Sequence, residues 1–424
     1  MMVSFIRYGW LLLICPLSRA QSSDPLAYVD PFIGTTRSNV YTRWGNEGGT
    51  YPGAVAPWGA MQLTPETKRT GGYDYKDSTI CFFSCYHHMS GYPNGSAGRM
   101  RIMPVVGAFD GARTGSGAGA AATDIGGMNT GRPFRHEDER AMPGYYRVRL
   151  ADDGTVVETT VSERVGIFRM SFPSGVTPRV FIGGAGANVA LQFNRAYVKE
   201  QVSDNGMVLR FSADTGVLII RVSVSSLGEA SAQKNIARET DGLTFEQVCE
   251  RTQAAWRKQL GVVEVDDPDE VHKKIFYTAL YHSLLLPWII SDVDGQYRGQ
   301  DGSVHVTRGQ YEYGGFSPWD TFRSLHPLLC LLFPDRQQDM VLSMMDVYRQ
   351  TGYLPSDPMT GNHAVAVIAD SWIKGIRGFD SAEAYAAMRK GVIDTPYREK
   401  DRTVYRQLGY IPSTYPESVT RTVE

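Results

Sequence analysis

Cysteine is scarce, with five in 424 residues. Cys15 falls in an apolar leader, so Cys81, Cys85, Cys249 and Cys330 remain. Four thiols cannot staple a chain of this length, and its stability must come from an apolar core. Charge of one sign is also lacking. Forty-three basic residues face 45 acidic ones, a formal net charge of −2. Such a balance leaves no electrostatic footprint for nucleic acid or an anionic lipid surface. A transmembrane helix needs ~20 apolar residues in a row, and the leader is too short for one.

Several chemical signatures are missing too. There is no Gly-x-Ser-x-Gly elbow, so a Ser-His-Asp triad has no motif support. The glycine-rich stretch from Gly115 to Gly131 lacks the Lys-Ser/Thr of a phosphate loop and reads as a surface loop. Asp292, Asp294 and Asp301 sit in one loop without the terminal Glu of an EF-hand, which favours structural turns over a hard-cation site. Cys81, Cys85, His87 and His88 fit no common zinc spacing, and the two cysteines read as small buried hydrophobes.

What remains is a folded composition, 42% hydrophobic and 21% charged, with 23 Tyr and 7 Trp. The length implies two or three domains. The aromatics favour surfaces that stack on flat ligands. Residues 1–20 read as a secretory signal peptide: Arg7, an apolar stretch from Trp10 to Leu17, then Ser18, Arg19 and Ala20 at a small-residue cleavage site. Ile14 before Cys15 disfavours a lipid anchor, so the expectation is export to the periplasm or the extracellular space.

From 27 to 242 the apolar period is two. Tyr146, Val148 and Leu150 alternate with arginines before an Asp153-Gly154 hairpin turn, and Leu218, Ile220, Val222 and Val224 make another face. This is the pattern of antiparallel sheets packed as a β-sandwich. At 244 the period becomes helical. Thr244 and Gln247 form a capping box, Phe245, Val248, Thr252 and Trp256 share a stripe, and Gly261 closes a linker helix over 243–262. Asp267 and Pro268 then open a helix with Val271, Ile275, Ala279 and Leu280 expected on its buried stripe. Further helices are expected near 319–331, 337–350, 363–375 and 381–391. Sheets first and helices afterwards imply segregated domains, β then α. Residues 417–424 look like the start of another helix, from which a truncated chain is expected.

Loops between such helices carry function. One holds Trp319, Asp320 and Arg323. A carboxylate and a guanidinium three residues apart can grip neighbouring hydroxyls while the indole stacks. The same residues can equally be a helix-dipole Asp with its ion-pair partner. Another loop leads to His363, either a pocket residue or a structural hydrogen-bonding group.

These segments carry a family resemblance. Tyr28-Val29-Asp30-Pro31-Phe32-Ile33-Gly34-Thr35 and Thr50-Tyr51-Pro52-Gly53-Ala54-Val55-Ala56-Pro57-Trp58-Gly59 resemble successive blocks of the glycoside hydrolase family 92 exo-α-mannosidases. So do Phe276 to Ser283, Ser291 to Gly295, Trp319-Asp320-Thr321-Phe322-Arg323 and Val367-Ile368-Ala369-Asp370. The resemblance implies an N-terminal antiparallel β-sandwich, linker helices and an (α/α)6 barrel, incomplete here over 263–424. It also implies calcium-dependent, inverting removal of terminal α-mannose, α-1,2-linked, from N-glycans or mannans. Trp319, Asp320 and Arg323 match the block lining the terminal-mannose pocket, with Trp58 and His363 as further substrate-binding candidates. The family's acid lies in a Glu-Gly-Asn-Ala-Trp-Gln-Tyr block and its base in an Asn/Asp-rich block. Neither occurs here, so no catalytic residue is assigned and both are expected beyond residue 424. The alternatives are a carbohydrate-binding protein using exposed aromatics such as Trp58 and Tyr92, and an N-glycan-releasing amidase using Cys85 with His88.

Overall fold

The computed structural model describes residues 24–36, 49–67, 72–85, 100–105, 131–184, 188–203, 206–356, 361–393, 399–410 and 412. The signal-peptide reading, Tyr92, His87 and His88 lie outside them. In chain order the N-terminal strands are β1 (Ala54–Val55), β2 (Gln62–Glu66), β3 (Thr79–Ile80), β4 (Phe82–Ser84), β5 (Arg101–Pro104), β6 (Arg132–Met142), β7 (Tyr145–Leu150), β8 (Val156–Val161), β9 (Val165–Ser171), β10 (Arg179–Gly183), β11 (Val189–Phe193), β12 (Tyr197–Ser203), β13 (Gly206–Phe211) and β14 (Val217–Val224). There follow α1 (Glu229–Thr240), α2 (Phe245–Leu260), α3 (Glu270–Ser283), β15 (Trp288–Ile289), β16 (Gln296–Arg298), β17 (Val304–Val306), β18 (Tyr313–Gly314), α4 (Pro318–Thr321), α5 (Leu325–Leu332), α6 (Pro334–Thr351), α7 (Ala364–Ile373), α8 (Ser381–Ile393) and α9 (Glu399–Leu408).

β1 to β14 form two seven-stranded sheets, β1-β2-β4-β5-β10-β13-β12 and β11-β14-β9-β8-β7-β6-β3, and β15-β18 and β16-β17 form two-stranded ones. Their pairings are antiparallel, as the period-two pattern requires. The turn at Asp153-Gly154 joins β7 to β8 in the expected hairpin, and Arg169 meets Glu158 across β8 and β9 at 2.7 Å on the outer face. Between the sheets Phe83 packs edge-on against Tyr146 and Phe168, with centroids 6.3 and 6.0 Å apart. Gly166 marks the closest approach: a Cβ there would lie 2.6 Å from the Leu63 side chain of the opposite sheet.

Helix α1 is not legible as a helix in the period-two region. Its buried face holds Asn235 and Thr240 beside Ala232 and Ile236, which mutes the apolar stripe. α2 forms as expected, with both halves of the Thr244/Gln247 capping box made and Phe245, Val248, Thr252 and Trp256 buried. α3 corrects the expectation. It starts at Glu270, capped by Asp269, and Val271 and Ile275 are 60% and 56% exposed, with Ala279 also outward. Leu280 is buried as expected, but its companions are Tyr277, Thr278 and Tyr281, because the surface α3 meets is the aromatic cluster around Tyr51 and Trp58.

The expected helix over 319–331 is two helices, α4 and α5. A helix running through from Trp319 would place Pro327 in its interior, where the ring clashes one turn back, whereas in α5 Pro327 is the third residue and needs no N–H partner. α5, α6 and α7 share a buried polar chain. Ser371 Oγ donates to Val367 O at 2.7 Å and accepts from Gln337 Nε2 at 3.0 Å, while Gln337 Oε1 faces His326 Nδ1 at 2.9 Å.

Sheets and helices meet in one core of Val29, Tyr51, Val55 and Trp58 against Trp256, Tyr277, Leu280, Tyr281, Leu284 and Phe333. Trp58 N donates to Leu284 O and Ile289 N donates to Trp58 O, both at 2.9 Å. Trp256 Nε1 reaches Val55 O at 2.8 Å, and Arg164 Nε reaches Ser291 O at 2.6 Å. Trp256→Ala is expected to cost about 3–5 kcal/mol, as large aromatic truncations in cores do. Urea unfolding should show this as a lowered midpoint, and a loss under ~1 kcal/mol would contradict the seam described here.

Candidate active site

The turn into α4 is fixed by its own side chains. Ser317 Oγ donates to Asp320 Oδ2 at 2.6 Å, and Ser317 O accepts from the backbone N–H of Asp320 and Thr321, both at 3.0 Å. Asp320 is thus held by one oxygen while its side chain stays exposed, with half-buried Trp319 beside it. Just upstream, Gly315 has φ +69°, and a Cβ there would lie 2.1 Å from the Trp288 ring, so only glycine lets the chain turn under that indole.

Arg323 is exposed, its guanidinium 4.9 Å from the Phe322 ring centroid. Among the described residues it makes no ion pair with Asp320, so both groups face outward unneutralised by each other. Phe322 in turn stacks on His363, with centroids 4.5 Å apart and planes 30° from parallel. That stack joins the loop of Trp319, Asp320 and Arg323 to the loop before α7. His363 takes the N-cap position of α7 without a side-chain cap bond, and its carbonyl accepts from Val367 N at 3.1 Å. Phe322 is the member that sequence reasoning passed over; as an aromatic at the end of a short helix it reads as core.

Trp58 is a correction. It is 0% exposed, so it is no exposed stacking aromatic. Its φ of +51° is unusual for a residue with a side chain, and its two backbone bonds to Leu284 and Ile289 hold that conformation. The indole lies edge-on to Phe333, and Arg336 sits 5.2 Å from its ring centroid. Tyr311 is flanked by Arg336 at 4.3 Å and Arg164 at 5.7 Å.

The aspartates of the loop that lacks an EF-hand Glu are tied by hydrogen bonds and ion pairs. Asp292 accepts from Ser225 Oγ and Asn235 Nδ2, both at 2.6 Å, Asp294 pairs with Lys234 at 3.0 Å, and Asp301 meets His305 at 3.1 Å. Burial pushes the Asp292 carboxyl above its ordinary range. Among the described residues no group of three or more His, Cys, Asp or Glu is placed to hold a metal ion. Cys81 Sγ donates to Thr67 O at 3.3 Å. Cys85 is fully buried, and burial pushes its thiol well above the usual range, so it offers no thiolate.

An exposed carboxylate locked at one oxygen, a neighbouring guanidinium and a half-buried indole suit a polyhydroxylated ligand. The Glycosyl hydrolase family 92 N-terminal domain matches residues 28–208, and the Glycosyl hydrolase family 92 catalytic domain matches residues 231–424. The chain belongs to glycosyl hydrolase family 92.

Among solved structures, this family 92 chain is similar to the GH92 alpha-mannosidase BT3965 from Bacteroides thetaiotaomicron, with 27% identity and a TM-score of 0.77 over 92% of this chain and 59% of that one. The same protein in complex with mannoimidazole matches equally, over 58% of its length. The GH92 inverting mannosidase BT2199 from Bacteroides thetaiotaomicron VPI-5482, at 23% identity and a TM-score of 0.78, shares the fold over 92% of this chain and 59% of that one. The chain therefore spans about three-fifths of the length of these relatives. No curated protein matches it.

The stack between Phe322 and His363 makes a specific expectation. His363→Ala should lower stability by about 0.5–1.5 kcal/mol, the worth of an aromatic pair, measured by denaturant unfolding. An unchanged midpoint would mean that the two loops are not joined through these rings.

Proposed function

We propose that this family 92 chain is part of an exported, inverting exo-α-mannosidase that removes terminal, α-1,2-linked mannose from N-glycans or mannans. One observation carries the reading: Asp320 is exposed, fixed by Ser317 and flanked by Trp319 and Arg323, an arrangement suited to gripping a sugar's hydroxyls. Asp320 accepts from one hydroxyl while Arg323 donates to its neighbour, and the indole face covers the apolar side of the ring. The mannoimidazole complex of a similar protein supports mannose as the sugar.

Inversion needs two carboxyl groups about 6.5–9.5 Å apart, one protonating the leaving oxygen and one activating water. No residue of this chain is assigned to either role. Calcium remains a proposal drawn from the family resemblance alone. The described residues do not fit it, since the three aspartates of the candidate loop are taken up by Ser225, Asn235, Lys234 and His305. No step is routed through it here. Export rests on residues 1–20 alone; among the described residues no helix is long and apolar enough to cross a membrane.

The 424 residues by themselves are expected to bind mannose without turning it over. Aryl α-mannoside with calcium should release no chromophore above background, and robust release would place both carboxylates within this chain. Calorimetry with methyl α-mannoside should show binding that Asp320→Ala weakens by about ten- to a hundredfold, the loss of a hydrogen bond to a charged group. The melting temperature should be almost unchanged, because Asp320 is exposed. Equal affinity in the variant would remove Asp320 from the sugar site. Binding without hydrolysis in a chain restored to the relatives' full length would favour the carbohydrate-binding alternative.

A further inference from the structure

Glu312 precedes β18 and is 2% exposed, and one of its carboxyl oxygens, Oε2, has no hydrogen-bond partner. Two of the groups facing it are acidic. α6 presents Asp339 and Asp346, the Ser343 hydroxyl and Arg349, and β16 presents Tyr297, behind which His305 pairs with Asp301. Arg349 is the cation of that set, and it is already committed to Asp346 at 2.6 Å and to both oxygens of Glu383 at 2.8 and 2.5 Å. A carboxylate is costly in this position, sealed from water near two aspartates with an orphaned oxygen.

The backbone at Glu312 ties three parts together. Its N–H donates to Ser291 Oγ at 3.3 Å, its carbonyl accepts from Ile290 N at 2.8 Å, and the next N–H, of Tyr313, donates to Ser343 Oγ of α6 at 3.0 Å. Five residues on lies Ser317, which locks Asp320.

We propose that Glu312 is a proton-dependent brace: as the neutral acid it seals the β18 strand against α6, and on ionising it opens that seam and loosens the turn that carries Asp320. This goes beyond the glycosidase reading and does not depend on it. Burial first, then Asp346, pushes the Glu312 carboxyl up to about 8, so the protonated form predominates at neutral pH. A group whose folded-state value is raised contributes stability that is fully present below the ordinary glutamate range. That contribution is lost as pH rises through about 8.

The test is hydrogen exchange of the full 424-residue chain, read on peptides covering 311–321 between pH 6 and pH 9 and corrected for the intrinsic rate. Protection is expected to fall about tenfold or more across that range in the wild type, and Glu312→Gln, which keeps the shape and cannot ionise, should remain protected. A flat wild-type profile, or the same fall in Glu312→Gln, overturns the proposal. Asp346→Asn gives an independent reading should Glu312→Gln not fold. It removes the facing charge and frees Arg349, so the fall in protection should move to lower pH. A midpoint that stays or moves upward would overturn the brace.

Discussion

Two hydrogen bonds at the backbone of Trp58 fix how the sandwich sits on the helical layer. They hold the backbone of residue 58, in a turn, between Leu284 and Ile289, so the loop after α3 is tied to the sandwich by main-chain bonds. The positive φ this demands is held by the indole's burial among Phe333 and Arg336. The rest of the helical layer hangs from that point, since β15 and β18, and through them the turn into α4, continue from Ile289. The strained aromatic is part of the frame that positions the site, not of the surface that meets a ligand.

How much could be read beforehand follows from where each signal is written. The sandwich and α2 were legible because alternation, a hairpin turn and a capping box are local, and the structure keeps them. α3 was misread at Val271, Ile275 and Ala279 because its two sides are both apolar: Val271 and Ile275 make as good a stripe with Leu280 as Tyr277 and Tyr281 do, and only the partner surface decides between them. The break between α4 and α5 was written in Pro327 but masked by a continuous apolar run. At the candidate site, residue types and spacing singled out Asp320, Arg323 and Trp319, and the structure leaves Asp320 and Arg323 exposed. Trp58 was misplaced because burial is a tertiary property, and Phe322 was missed because its partner lies 41 positions away, at His363.

The chemistry divides along the same lines. Most charged groups at the junction are spent on architecture: Asp292, Asp294, Asp301 and Arg164 each have partners that join sheet to helix or close a turn. Asp320 and Arg323 stand apart in presenting charge outward. The fold is shared with a structure 27% identical over 92% of this chain.

The buried chain from Ser371 to His326 has an acid-side consequence. Ser371 spends its proton on Val367 O, so it takes one from Gln337, whose oxygen then faces His326 and puts that ring's proton on Nδ1. Nε2 is left as a sealed lone pair, and burial lowers the imidazole to about 4. Its contribution is complete above the normal histidine range and fades as pH falls toward 4, when a second proton must enter a place with nothing to receive it. α5, α6 and α7 are therefore the helices that acidification prises apart, a weakness that the hydroxyl, amide and imidazole relay writes into the centre of the trio.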